Sequence, residues 1–237
     1  MIMGWLPQNV STFGGDIDRV FRLILYVVGA WFILAEGALL YFVLRYRRKS
    51  GRAALFNSGE TWRELAWIFI PALTVLVLDL GIDAAGGSVW DRVKGGPPPA
   101  TVEVQVKAKQ FNWEFTYAGP DGKFGTADDI TQENELHVPV NQVVRLTLTS
   151  ADVIHSFFVP NLRLKQDVVP GRTIPAWFEA TRSGSYPIAC TELCGFGHYS
   201  MAGTLVVQSA QDYGQWLKEH STQSTASADT DRARKAN

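Results

Sequence analysis

Cysteine and unbalanced charge are both scarce in this sequence. Two cysteines occur among 237 residues, and the formal net charge is -1 at pH 7. So few cysteines exclude a secreted scaffold held by several disulfides, and the absence of a C-x-x-C-H sequence excludes a covalent c-type haem. The balanced charge gives no reason to expect a nucleic acid partner. Cys190 and Cys194 therefore have to be interpreted together.

Apolar residues are concentrated in the first third of the chain. From Leu23 to Leu44 the only side chain that is charged at neutral pH is Glu36. A helix over this segment would be roughly 33 Å long, which is enough to cross the hydrocarbon core of a bilayer. The second apolar segment, Trp62 to about Gly87, is weaker because Asp79 and Asp83 lie near its far end. We predict two transmembrane helices, with a buried helix of a soluble domain as the alternative for the second.

The connector between these segments predicts their orientation. It contains five basic residues, namely Arg45, Arg47, Arg48, Lys49 and Arg52. A short loop this basic is retained on the cytoplasmic side, so both chain termini are expected on the outer, periplasmic face of a bacterial inner membrane. A cleaved signal peptide fits less well, because the leader carries Asp16 and Asp18 and the positive charge follows the apolar run.

The pattern changes after a run of glycine and proline. Gly95-Gly-Pro-Pro-Pro99 cannot continue a helix, and beyond it apolar and polar residues alternate, as in Thr101–Lys107 and Val143–Thr149. Several short strands at such spacing predict a β-sandwich or barrel. We predict four parts: a transmembrane hairpin over 1–94, a linker over 95–100, a soluble domain over 101–217 and a disordered tail over 218–237.

The chemistry is concentrated in one short stretch of the soluble domain. Cys190, Cys194, His198 and Met201 fall within twelve residues, and His155 stands 35 residues before Cys190 in a segment between strands. Soft sulfur ligands combined with imidazole favour copper over hard ions. Two simpler interpretations are a disulfide and a structural zinc site, but the disulfide ignores the histidines and zinc leaves Met201 without a role.

A mononuclear blue-copper site needs only one thiolate, so the second cysteine is surplus to that design. Two thiolates can instead bridge two copper ions, each with one terminal imidazole. The weak positions would then go to the Met201 sulfur and to a backbone carbonyl such as that of Glu192. Sharing one electron over two metals keeps reorganisation small.

These motifs resemble those of cytochrome c oxidase subunit II. The resemblance runs from about Val20 to Leu217 and is carried by C-x-E-x-C-G-x-x-H-x-x-M, by Asp-Val-x-His-Ser-Phe around His155, and by Leu-Lys-x-Asp-x-x-Pro-Gly-Arg. It implies a two-helix transmembrane hairpin plus an all-β Greek-key cupredoxin sandwich. It also implies a dinuclear CuA centre bound by six residues: His155, Cys190, Glu192 through its carbonyl, Cys194, His198 and Met201.

The same resemblance implies the partners and the activity. The chain would accept electrons from cytochrome c and pass them to the haem-bearing subunit I for oxygen reduction coupled to proton translocation, with subunit III in the same complex. The carboxylate of Glu192 would ligate a magnesium ion shared with subunit I, and Lys165, Asp167 and Arg172 would face that subunit. Glu64 resembles the glutamate at the mouth of the K proton channel, although a helix-start carboxylate is an equal alternative.

One segment departs from the family pattern. Where the family shows Gln-Trp-x-Trp, with the first Trp accepting the electron, this chain has Gln110-Phe111-Asn112-Trp113. Electrons are therefore expected to pass through Phe111 or through Trp113.

A turn-rich insert over 119–129 carries acids at alternating places. It lacks EF-hand spacing and the closing glutamate, so a solvated hairpin tip is favoured over a calcium site. Together with Glu133 and Glu135, this insert is a candidate for a negative surface that attracts a basic cytochrome.

Other functions remain open from the sequence. A nitric oxide reductase with a CuA subunit would look the same in this chain, and a membrane copper-delivery protein is a rival of a different class. A quinol oxidase subunit lacks the ligands that are intact here, and nitrous oxide reductase needs a second large domain.

Overall fold

Two long helices occupy the first part of the chain. The computed structural model describes residues 6–53, 56 and 58–221. Helix α1 spans Gly14–Arg45 and helix α2 spans Trp62–Lys94, and both are long and apolar enough to cross a membrane. Most of their large apolar side chains are exposed to the surroundings, as expected of helices that meet lipid or partner helices.

Helix α2 begins with a capping box. The Thr61 backbone N–H donates to Glu64 Oε2 at 3.1 Å, and the Glu64 N–H donates to Thr61 Oγ1 at 3.4 Å. This reciprocal pair satisfies two of the backbone donors that a helix start leaves free. Glu64 therefore stabilises the first turn of α2, which follows the basic connector.

The rest of the chain forms strands. They are β1 Val102–Lys109, β2 Asn112–Tyr117, β3 Ile130–Glu133, β4 Glu135–Pro139, β5 Val143–Ser150, β6 His155–Val159, β7 Leu164–Val168, β8 Ile174–Glu179, β9 Gly184–Cys190 and β10 Ala202–Gln208. Short 3-10 turns lie at Pro160–Leu162 and His198–Ser200, and a final helix, α3, covers 210–221.

The strands make two five-stranded sheets. Their orders are β3-β2-β1-β5-β8 and β4-β10-β9-β6-β7, with parallel pairs β1–β5 and β4–β10 and antiparallel pairs elsewhere. Because the chain repeatedly changes sheet between consecutive strands, the connections follow a Greek-key pattern. The predicted combination of two apolar helices and an all-β sandwich is confirmed.

Alternating residues of both sheets fill the space between them. In β1, β2 and β5 every second residue is buried, which is the pattern of a strand with one face on a core. Fully buried side chains from the two sheets include Val106, Phe115, Leu146, Phe157 and Leu205. This packed core gives the loops at the ends of the strands a rigid base.

A short segment before α1 belongs to the sandwich rather than to the helices. Within this N-terminal strap, residues 8–13, the Val10 N–H donates to Asn161 O at 2.8 Å and the Val10 carbonyl accepts from Thr181 N–H at 2.8 Å. Val10 and Phe13 are buried, and the Phe13 ring packs edge-on against Trp177 at 5.3 Å.

Trp177 also holds the residues at the end of α2. Its indole Nε1–H donates to the Val93 carbonyl at 2.9 Å. The described chain accordingly forms two compact units. One consists of residues 16–91, and the other consists of the remaining described residues. The strap was assigned to the predicted anchor over 1–94, and its packing on the sandwich corrects that boundary.

The C-terminal helix α3 docks through aromatic rings. Trp216 stacks on the imidazole of His137 in β4, with ring centroids 4.4 Å apart and an interplanar angle of 12°. Residues 218–221 are the last turn of this helix, although they were predicted as the start of a disordered tail. The remainder of that prediction, 222–237, lies outside the described residues.

We expect Phe13→Ala to destabilise the sandwich by about 3–5 kcal/mol, because it empties a buried aromatic site against Trp177. Thermal unfolding of the purified full-length chain in detergent would measure the loss. Thr12→Ala is the matched control, since Thr12 is exposed and contributes its backbone N–H to Glu179 O. Equal unfolding temperatures for the two variants would show that the strap is not part of the folded domain.

Candidate metal centre

The pairing of β9 with its two neighbours brings distant residues together. Cys190 is the last residue of β9 and is paired with Phe157 of β6, so His155 at the start of β6 lies alongside it. On the other side, the Cys190 N–H donates to Met201 O at 3.1 Å, which closes the loop 191–201 as a hairpin before β10. All the predicted ligands therefore meet at one end of the sandwich.

Each cysteine sulfur faces one imidazole. Cys190 Sγ lies 3.8 Å from His155 Nδ1, and Cys194 Sγ lies 3.6 Å from His198 Nδ1. The sulfurs are 3.9 Å apart and both cysteines are free, which rules out the disulfide interpretation for this structure. Because metal–thiolate and metal–imidazole bonds are about 2.3 and 2.0 Å in protein zinc sites, an ion bound to both would hold sulfur and nitrogen roughly 3.5–3.8 Å apart. The observed separations fit that arrangement.

Two weaker donors complete the set in the same paired way. The Glu192 carbonyl oxygen lies 3.4 Å from Cys190 Sγ, and Met201 Sδ lies 3.8 Å from Cys194 Sγ. Each sulfur thus has one imidazole and one weak donor beside it. All six residues of the predicted copper site are brought together.

The donors do not converge on a single point. Ligand atoms of His155, Cys190 and Cys194 lie within 4.8 Å of one another, whereas His198 falls outside that group and stands beside Cys194. Four ligands of one tetrahedral zinc ion would all be mutually close. The separation of the two imidazoles favours two metal positions, one on each side of the sulfur pair.

Most of the donors are shielded from water. His155, Cys190, Cys194 and Met201 are buried, and His198 is only partly exposed. Burial, with the neighbouring Cys190 sulfur, raises the pKa of the Cys194 thiol to about 11. A metal must therefore displace a proton from this thiol when it binds, which couples metal binding to proton release.

Asp152 orients the ring of His155. The His155 Nε2 atom lies 2.8 Å from Asp152 Oδ1, so this nitrogen carries the proton and Nδ1 is left to face the sulfur. Asp152 also accepts the N–H groups of Val153 and Gln110, both at 2.7 Å. Burial alone would raise the pKa of Asp152, but these hydrogen bonds outweigh it and hold the pKa below its usual value. Sequence reasoning missed this contact, although the D-V-x-H spacing carries it.

The turn between β1 and β2 holds the metal-binding loop from the other side. Gln110 donates from Nε2 to the Cys194 carbonyl at 2.6 Å. The Phe111 ring lies against Gly195 and Gly197, where a β-carbon on Gly197 would come within 2.4 Å of the ring. Gly195 has φ +134°, a conformation that L side chains rarely adopt. Glycine at both positions lets the loop pass under Phe111.

The two aromatic candidates for electron transfer differ in exposure. Trp113 is fully buried and its ring packs against His155 with centroids 6.2 Å apart, while Phe111 is 37% exposed. Among the described residues, nothing hydrogen-bonds to Trp113 Nε1. A protein docking from outside can touch Phe111 but not Trp113.

The Glu192 side chain points to a separate charged group. Its Oε1 lies 3.2 Å from Lys165 Nζ, which is also 3.4 Å from Asp167 Oδ1. Asp167 in turn accepts the buried Ser156 hydroxyl at 2.7 Å. The hydrogen bond between Lys165 and Glu192 raises the pKa of the Lys165 ammonium group. Glu192 thus offers its carbonyl to the metal donors and its carboxylate to a surface cation.

Comparison with known proteins decides the family. The model of the family described as "Cytochrome C oxidase subunit II, periplasmic domain" matches residues 119–210. The alternative cytochrome c oxidase subunit 2 of Bradyrhizobium diazoefficiens is 32% identical over 92% of this chain and 84% of its own length. The chain belongs to the cytochrome c oxidase subunit II family. Cytochrome c oxidase subunit 2 of Thermostichus vulcanus is 31% identical, over 94% of this chain and 80% of its own.

Among solved structures, the periplasmic domain of cytochrome oxidase subunit II from Bradyrhizobium japonicum is 29% identical, with a TM-score of 0.49, over 54% of this chain and 99% of that one. Family membership makes the chain a membrane-bound subunit of an oxidoreductase. Its cluster of cysteines and histidines fits a copper centre of the CuA type.

We expect Asp152→Ala to lower the affinity of this family member for copper about 10–100-fold, because the second hydrogen bond of a ligating histidine fixes its ring and its basicity. Competition with a chromophoric chelator would measure the affinity. Asp121→Asn, at an exposed position of the 119–129 loop, is the matched control. Unchanged affinity in the Asp152 variant would contradict the orienting role.

Proposed function

We propose that this chain is the subunit through which electrons enter a cytochrome c oxidase. Six residues would hold a dinuclear CuA centre: His155, Cys190, Glu192, Cys194, His198 and Met201. The observation that carries the proposal is the paired arrangement of donors, in which each cysteine sulfur has its own imidazole and its own weak donor.

When bound, copper would supply a one-electron carrier whose charge is shared between two ions. The protein's part is to hold the donors still. Cys190 and Met201 are tied by the hairpin, His155 by Asp152, and the Cys194 carbonyl by Gln110. Donors that cannot move and that exclude water keep the reorganisation between redox states small.

The strap supports the predicted membrane topology. Val10 precedes α1 but is hydrogen-bonded within the sandwich that follows α2, so the chain must return to the side on which it began. Two membrane crossings meet that requirement. With the basic connector on the cytoplasmic side, the copper domain and the strap face the periplasm or its equivalent.

Oxygen reduction is assigned to a partner subunit. Helices α1 and α2 contain no histidine, so they offer no axial imidazole for a haem. The haem-bearing subunit I would receive the electron, and subunit III would complete the complex. The Glu192 carboxylate would exchange Lys165 for a magnesium ion shared with subunit I, which its exposed position permits.

Glu64 keeps two roles in this proposal. Its carboxylate caps α2, and at the same partly exposed position it would lie at the mouth of a proton channel formed with subunit I. A CuA-dependent nitric oxide reductase is the second candidate for the whole complex, because it would require the same ligand set in this chain.

We expect the purified full-length chain to bind two copper ions and to give a purple, mixed-valence centre with one unpaired electron shared by both ions. Metal analysis combined with electron paramagnetic resonance would test this. One copper per chain with the spectrum of a mononuclear blue site would contradict the dinuclear proposal.

We expect Cys194→Ser to abolish the mixed-valence signal, because a hydroxyl cannot bridge two copper ions as a thiolate does. The metal-free variant should unfold within a few degrees of the wild type, since the exchange of sulfur for oxygen leaves the hairpin intact. A variant that keeps the shared-electron spectrum would exclude Cys194 as a bridge.

A further inference from the structure

We propose that a cleft between α1 and α2 receives a basic side chain from a transmembrane helix of a partner subunit, and that Asp79 pairs with it inside the bilayer. The inference rests on the proposed function, because that function places the chain in a membrane complex of several subunits. It names the chemical group that the partner brings to the hairpin. Trp31 of α1 lines the same cleft as Asp79 of α2.

The membrane-spanning parts of the two helices carry acids but no bases. In residues 23–44 and 65–90 the side chains charged at neutral pH are Glu36, Asp79 and Asp83. Neither segment contains lysine, arginine or histidine, so the hairpin has no cation of its own at these levels. A charged group inside a bilayer pairs with an opposite charge or lines a polar path. The opposite charge is therefore expected from a neighbouring molecule.

Asp79 lies well inside the hydrocarbon. It lines the cleft beside Val28 and Trp31, which follow Arg22 by six and nine residues. Arg22 is the last base before the apolar segment of α1 and marks the periplasmic surface of the membrane. At about 1.5 Å per residue, Asp79 is roughly 9–14 Å below that level. An aspartate side chain is too short to reach water from there, whereas a lysine or an arginine could.

The cleft is open and leaves the carboxylate without a partner. Its volume is about 140 Å³, and its lining apart from Asp79 and Trp31 is aliphatic. Among the described residues, no hydrogen-bond donor reaches Asp79, and its side chain is exposed on the surface of the hairpin. Glu36 does not line this cleft. A group that enters the cleft therefore meets one unpaired acid in apolar surroundings.

The two functional side chains of the cleft suit a cation. The Asp79 carboxylate offers a negative charge and two acceptor oxygens, and an indole such as that of Trp31 is the aromatic ring that attracts cations best. Both attractions are stronger in hydrocarbon than in water, because the surroundings screen them less. An arginine or lysine side chain is thus the ligand that satisfies the cleft.

The periplasmic half of α2 allows another helix to come close. Six of the eight residues 81–88 are glycine, alanine or serine. A β-carbon built on Gly81, Gly86 or Gly87 would meet nothing within 4 Å, so the described chain does not cover the surface at these positions. Small residues are typical of contacts between transmembrane helices. The molecule that brings the base to Asp79 is therefore a helix rather than a lipid.

Labelling with a carbodiimide would tell a paired carboxylate from an acid that faces lipid. Dicyclohexylcarbodiimide enters bilayers and adds to a protonated carboxyl group to give an N-acylurea, whereas a carboxylate held by a cation does not react. Two samples of the full-length chain would be treated in membranes, one expressed in a host without oxidase genes and one in the complex with its haem-bearing partner. Mass spectrometry of peptides would give the labelled fraction at Asp79.

We expect the labelled fraction at Asp79 to be about tenfold lower in the complex than in the chain alone, because the pair keeps the carboxylate ionised and covered. The chain alone is the control for access of the reagent. Equal labelling in both samples would overturn the inference, since Asp79 would then face lipid in the assembled complex.

Substitution would tell a basic partner from an apolar one. An apolar helix would bind Asp79→Leu at least as tightly as the wild type, whereas a base would be left unpaired in hydrocarbon. We expect Asp79→Leu to raise the dissociation constant of the complex about three- to twentyfold. The haem retained per chain during dilution in detergent would measure it. Asp91→Asn removes a charge near the end of the same helix and should match the wild type.

The copper content of each variant would show that the soluble domain is intact. Unchanged or tighter association of Asp79→Leu would overturn the inference while leaving the copper centre and the proposed function in place. A wild-type chain that binds copper but retains no haem-bearing partner, even in native membranes, would overturn the proposed function together with the inference.

Discussion

Hydrogen bonding of β9 to β6 and β10 decides where every metal donor lies. Thr191 N–H reaches the Ser156 carbonyl at 3.1 Å, and Cys190 N–H reaches the Met201 carbonyl at the same distance. One contact places the distant His155 beside the loop, and the other fixes the first and last sulfur of the loop across a hairpin. A slip of one residue in either pairing would turn these side chains to the opposite face of the sheet.

The donor set is held by residues that are not donors. Asp152, Gln110 and Phe111 come from two other loops, and each contacts a ligand or the loop backbone. They stand on strands whose inner faces are packed into the core. The packed core therefore fixes the strand ends, and the strand ends fix the loops that hold the six donors in place.

Much of the site could be predicted from the sequence because its spacing is local. Cys190, Cys194, His198 and Met201 are separated by few residues, and sulfur with imidazole limits the choice of metal. The helices were predictable for a similar reason, since apolar length is a direct signal. A mononuclear blue-copper site needs only one thiolate, and the second cysteine therefore predicted two metal positions. The pairing of each cysteine sulfur with its own imidazole, at 3.8 and 3.6 Å, agrees with that prediction.

Other features depend on contacts that no local pattern records. The strap has Val10 and Phe13 as its only buried apolar side chains, too few for a periodic signal. Exposure of Phe196 and burial of Trp113 follow from where neighbouring loops lie. The start of helix α3 was predictable from the sequence, because serine is a preferred N-cap residue. In the structure Ser209 caps the helix, and the Asp212 N–H donates to Ser209 Oγ at 3.1 Å.

The strap also sets an order of events in biosynthesis. It is made before either helix, yet the strands on which it lies are made after both. The strap residue Ser11 bonds to Ala180 and Leu162, so these contacts can form only after both helices and the strands around these two residues have been made. A domain cut free after α2 would lack the strap, and the backbone groups that the strap pairs with would be left open to a neighbouring molecule.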